Sequence, residues 1–287
     1  RIGAVPDLYY AVCDESDIRT VLAGIDITTH LKRWRISMTW LRKPKFWRWC
    51  VPLGIVLTIV LAGVARHSMA DWRTASRESA GIAPDPARHS EAIVQVYAAR
   101  AYSWRGVFGV HTWIAVKPTD ALEFTVYEVV GWRVYHGYPA VAVSNRPADG
   151  RWFDSVPEIL ADMRGAGVNE MISRIDKAAR SYPYMDEYRV WPGPNSNTFI
   201  AHVARAVPEL KLDLPPTAIG KDFIPGGGLV AKTPSGTGYQ FSLYGLLGVM
   251  ASAEEGLELN LLGLTFGVDP KDLSIKLPMA GRIGGSS

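Results

Sequence analysis

An α+β protein carried on a single N-terminal membrane-spanning helix is the fold class that this sequence predicts. Three observations predict it. A basic stretch runs straight into an uncharged apolar one between residues 31 and 65, alternating apolar segments follow residue 92, and helical spacing of apolar residues follows residue 155. With 287 residues, 48% hydrophobic and 21% charged, the chain has the composition of a globular protein with a real core.

The basic stretch holds Lys32, Arg33, Arg35, Arg42, Lys43, Lys45 and Arg48 with no acid among them. It accounts for much of a formal net charge of only +3, and the remaining two-thirds of the chain shows no basic face for phosphate; no nucleic-acid partner is expected. From Trp49 to Ala65 nothing is charged, which at ~1.5 Å per residue makes about 26 Å of helix against a hydrocarbon core of roughly 30 Å. Trp47 and Trp49 suit one headgroup level, and Arg48 and Arg66 can reach the two surfaces. A buried core helix and the apolar region of a signal peptide are the competing readings of this run. Its bracketing by tryptophan and arginine favours a retained anchor in a bacterial inner membrane, and the Lys/Arg asymmetry places residues 1–48 in the cytoplasm and the C-terminal part in the periplasm. Cys13 and Cys50 precede or open the span, so the exported part has no disulfide to lean on.

Residues 66–91, polar and containing Pro84 and Pro86, read as a linker, and residues 92–287 as one exported domain. Strands are expected at 92–99, 109–116, 124–135 and 140–144, the last two joined by a turn at His136-Gly137. Helices are expected at 155–163, at 169–182 with Met171, Ile172, Ile175 and Ala179 on one face, and from Ser196 to the stop at Pro208. The Leu/Gly-rich tail reads as two strands, "YQFSLYGLLGVM" and "LELNLLGLTFGV". Core strands covering the sheet is the preferred reading there; an apolar surface resting on lipid or on a partner subunit is the other.

Chemistry narrows to three positions. The six histidines show no metal-site spacing and there is no CxxC pair, so neither a metal nor another cofactor is expected. "GGGLVAKT" resembles a phosphate loop, but Ala231 and the following Pro234-Ser235-Gly236 deny it the glycine and the helix that loop needs. Strand alternation puts His111 and Glu128 on one face, and a hairpin with a four-residue loop, Pro118 to Ala121, sets them directly opposite each other. A carboxylate beside an imidazole orients a base. Ser196 has two readings: the cap of the helix that it begins, or a nucleophile at a helix N-terminus, with Asn195 and Asn197 adding amide donors for an oxyanion.

"GVHTWIAV" and "YEVVGW", followed by a tyrosine-rich turn into "NSNTF", resemble the circularly permuted papain-like (NlpC/P60-type) fold. That resemblance implies a catalytic His, a polar orienting partner and a Cys nucleophile, which fall here on His111, Glu128 and position 196, where this chain has Ser. Residues 92 to about 210 also resemble a bacterial membrane-protein family of unknown function. The expectation is a membrane-anchored hydrolase or acyltransferase in which Ser196 attacks an amide or ester near the membrane. The alternative is a non-catalytic accessory subunit of an inner-membrane complex, bound through its span and its Leu/Gly-rich tail, with the lipid bilayer and other inner-membrane subunits as partners.

Overall fold

A computed structural model describes residues 71–285, together with the helical positions 50, 51, 54, 55, 58, 61 and 62. The expected cytoplasmic segment 1–48 lies outside the described residues, as does much of the expected span at 49–65. Among the described residues no helix is long and apolar enough to cross a membrane.

The folded part is α+β, with two antiparallel sheets and few helices. The first sheet has the order β4-β3-β2-β1-β5, from β1 (Ile93–Arg100), β2 (Val110–Lys117), β3 (Thr125–Val129), β4 (Val141–Ser144) and β5 (Glu158–Arg164). A short helix, α1 (Gly131–Tyr135), separates β3 from β4, and α2 (Val168–Arg180) and α3 (Ser196–Ala206) follow β5. Alternation along the strands makes two cores. Val94, Val96, Ile114 and Val129 pack beneath Ile175 of α2 and Phe199, Ile200 and Val203 of α3, while Ile93, Tyr97, Trp113 and Val126 form the opposite face with Phe124, Ala148 and Trp152.

Two expected elements are replaced. Residues 158–164, all but the last within the stretch 155–163 read as a helix, form β5, because Glu, Leu, Ala and Met tolerate either backbone and antiparallel pairing with β1 supplies the ladder. The expected strand 124–135 stops at Val129 and turns into α1. Residues 71–91, read as part of a linker, are fastened to the body: the Asp149 carboxylate accepts from Ser79 Oγ at 2.8 Å and from the backbone N–H groups of Ile82 and Ala83 at 2.7 and 3.1 Å.

The tail is a seven-stranded meander, where two strands were expected. β6 (Val230–Lys232), β7 (Gly238–Leu243), β8 (Leu247–Ser252), β9 (Gly256–Leu261), β10 (Leu264–Asp269), β11 (Ser274–Leu277) and β12 (Gly281–Gly284) pair in chain order. The β9–β10 hairpin closes over Leu262 and Gly263, both at positive φ as a two-residue type I′ turn requires.

Candidate functional site

The first candidate centre lies on the face of the first sheet turned away from α2 and α3. Trp113 pairs with Glu128, so the β2–β3 register is displaced by two residues from the expected one, and the chain between the paired Val116 and Thr125 is longer than a four-residue loop. A shift of two preserves the face, and Glu128 becomes a diagonal neighbour of His111. The two side chains meet: His111 Nε2 lies 2.9 Å from Glu128 Oε2. Arg146 closes the other side of the carboxylate, with Nε 2.9 Å from Oε1 and Nη2 3.2 Å from Oε2. Trp152 stacks on the imidazole at 3.6 Å between ring centroids, and Trp113 lies on the same face at 5.7 Å.

Electrostatics assign the protons. Burial drives the His111 pKa down, outweighing the pull of Glu128 in the other direction. Burial pushes the Glu128 carboxyl up, but the hydrogen bond from His111 and the charge of Arg146 prevail and hold it at about 2. The pair is therefore a neutral imidazole donating its Nε2–H to a carboxylate that Arg146 neutralises, which leaves the lone pair on Nδ1. Nδ1 has no hydrogen-bond partner among the described residues. The imidazole is held in one orientation.

The nucleophile expected beside it is not joined to it. Ser196 is buried and begins α3, but its Oγ makes no hydrogen bond to His111 or to another described group. The sheet explains the separation: Thr112 faces α3 and donates to Asn197 Oδ1 at 2.9 Å, so its neighbour His111 faces the other way. Nor is Ser196 the cap. Asn195 is the N-cap, its side chain accepting from the backbone N–H groups of Asn197 and Thr198, with Thr198 Oγ1 accepting from Asn195 N in return. The amides expected to hold an oxyanion are engaged elsewhere. Asn195 Nδ2 donates to Val190 O and Ile219 O, and Asn197 Nδ2 to Val110 O and Ile219 O.

The second candidate is a surface. In the meander one face carries Gln240, Ser242, Glu258, Asn260, Thr265 and Lys276, all buried. The other carries the apolar side chains, and it is exposed. Phe241, Val249, Leu259 and Phe266 form one continuous cross-strand row, flanked on one side by Tyr239, Ala251, Leu257, Val268 and Ile275 and on the other by Leu243, Leu247, Leu261 and Leu264. Leu257 is 55% and Ile275 52% exposed. This reverses the reading of the tail as core strands. The charges on the buried face are paired: Glu258 binds Lys221 and Lys276, and Lys276 also reaches Asp213 at 2.8 Å. At ~4.8 Å between strands and ~6.8 Å between same-face residues, the outer face measures roughly 30 by 20 Å, at or above the ~300–600 Å² largest patch of a typical monomer. Period-two alternation of leucine with Glu258 and Asn260 in "LELNL" is the signal in the sequence that marks these strands as two-faced.

Neither a curated protein nor a solved structure matches the chain. Residues 91–223 match the family model described as protein of unknown function (DUF3750). The match spans β1 to α3 and the loop containing Asp213 and Lys221, whereas the meander lies beyond it. Residues 91–223 are thus similar to the DUF3750 family, and a sheet with an exposed apolar face follows them.

Proposed function

We propose that this protein is a non-catalytic accessory component of a bacterial inner membrane that acts by docking the apolar outer face of its C-terminal meander. The observation that carries this reading is that face: three cross-strand rows of apolar side chains turned outward while the polar side chains of the same strands are buried. Leaving so large an apolar area in water costs on the order of 25 cal/mol per Å², so a covered state is strongly favoured. The DUF3750-like part supplies the rigid body to which the sheet is fastened through Lys221, Asp213 and Glu258.

The test is shielding. With Cys13 and Cys50 replaced, Leu259→Cys in native membranes should react with a water-soluble maleimide far more slowly than Lys271→Cys, which sits in an exposed turn. The same preparation should give no adduct of Ser196 with a fluorophosphonate. Equal maleimide rates at the two positions would end the docking reading. Labelling of Ser196 would replace it with the reading of a Ser196-dependent hydrolase or acyltransferase.

A further inference from the structure

We infer that the occupant of the meander's outer face is the acyl-chain layer of the lipid bilayer itself. This rests on the docking reading above and names the partner. Four features point to lipid over protein.

The first is the scarcity of polar atoms. On the outward side of β6 to β12 only Lys232 and the hydroxyl of Tyr239, paired neighbours at one margin, offer polar side-chain groups. A protein partner of standard size makes roughly ten hydrogen bonds across its interface, and this face has almost nothing with which to make them. Hydrocarbon asks for none.

The second is shape. The face is a shallow, open hollow of about 750 Å³ whose floor includes Phe241, Val249, Leu259 and Phe266. A rigid partner must bring a matching convex surface, whereas fluid chains fill an apolar hollow of any form.

The third is a gradient along the strands. At one end the hairpin tips present Tyr244 and Leu262, 55% and 66% exposed, beside Trp191, whose Nε1–H donates to Leu262 O at 2.9 Å. At the other end the turns carry Glu254, Lys271 and Asp272 along with Leu273. An apolar end with Trp and Tyr, opposed by a charged end, matches a sheet that enters the interface at a tilt.

The fourth is reach. Only residues 66–70 separate the uncharged run ending at Ala65 from Asp71, where the described body begins. Even fully extended, that stretch spans no more than ~20 Å. If the run is anchored in the bilayer, Asp71 lies within that distance of it.

The experiment uses the full chain, with Cys13 and Cys50 replaced, in vesicles of phosphatidylethanolamine and phosphatidylglycerol. A nitroxide is placed singly at Val249, Leu259, Leu262 or Lys271; the first three point outward, so labelling leaves the buried charge pairs intact. Collision with oxygen, which concentrates in lipid, is compared with collision with a water-soluble nickel chelate. The expected result is an oxygen-to-nickel ratio at Leu259 and Leu262 roughly tenfold above that at Lys271, as for groups buried below the headgroups. Exclusion of both reagents at Leu259 would overturn the lipid assignment while leaving the docking reading standing, because protein then covers the face. Spectral broadening between labels would identify that protein as a second copy, and its absence would leave another segment of the same chain. Nickel access at Leu259 equal to that at Lys271 would overturn both.

Discussion

Glu258→Gln should loosen the attachment of the meander, and the structure sets the size of the effect. Glu258 is buried, with Oε1 accepting from Lys276 Nζ at 2.8 Å and Oε2 accepting from Lys221 Nζ. Burial alone would raise the carboxyl and depress both amines. In the folded chain Lys221 and Lys276 more than offset that for Glu258 and lower it, and Asp222 and Glu258 do the same for Lys221 and raise it. The amide keeps the shape and removes the charge. Lys276 retains Asp213 at 2.8 Å, but Lys221 is left with Asp222 at 3.4 Å as its carboxylate partner. Stranding a buried charge in this way costs about 3–5 kcal/mol. Equilibrium urea denaturation of the full chain in detergent, followed by tryptophan fluorescence, measures it. Replacing Glu258, Lys221 and Lys276 together by Met, with Asp222→Asn, should cost far less, because Asp213 keeps Arg282 and no buried charge of the cluster is then left without a partner. A loss below about 1 kcal/mol for Glu258→Gln alone would refute the view that this carboxylate holds the two lysines in place.

Acid should weaken the fold in two stages. His111 is held neutral below its ordinary value of 6.5, so stability falls as pH drops beneath that value; Glu128 is held at about 2 against 4.5, so its contribution of ~3 kcal/mol is complete above 4.5 and is lost between there and 2. Glu128→Gln should remove the second stage in a denaturation series against pH, and an unchanged profile would contradict the assigned charges. Asn195→Ala removes the capping box of α3 and should cost about 2 kcal/mol in the same urea assay; a cost under ~0.5 kcal/mol would show that the cap is dispensable. In a chain with Cys13 and Cys50 replaced, Ser196→Cys should show at most a modest fall in thiol pKa from about 8.5, caused by the helix N-terminus. Its alkylation rate against pH should be the same with and without His111→Ala, since the two residues sit on opposite sides of β2, and a clear dependence on His111 would revive the catalytic reading.

Several parts of this molecule are legible from residue order alone, because the forces that form them are local. Met171, Ile175 and Ala179 at helical spacing produce α2, and Pro208 ends the run that becomes α3. Strand alternation puts His111 and Glu128 on one face whatever the even shift in register, which is why a hairpin displaced by two residues still brings them to 2.9 Å. Tertiary structure decides the rest. Residues 158–164 are a strand because β1 offers an unpaired edge, and no local preference encodes that edge. Ser196 is parted from His111 because α3 packs on the even-numbered side of β2, a choice made by Val110, Ile114 and Val116 meeting Phe199 and Val203 across long sequence separations. In the meander the alternation of Leu257, Glu258, Leu259 and Asn260 announces two faces but cannot say which one turns inward. Lys221 and Asp213, both far upstream of Glu258, settle it, Lys221 by drawing the Glu258 carboxylate and Asp213 by drawing Lys276 beneath the sheet, which leaves the leucines outside.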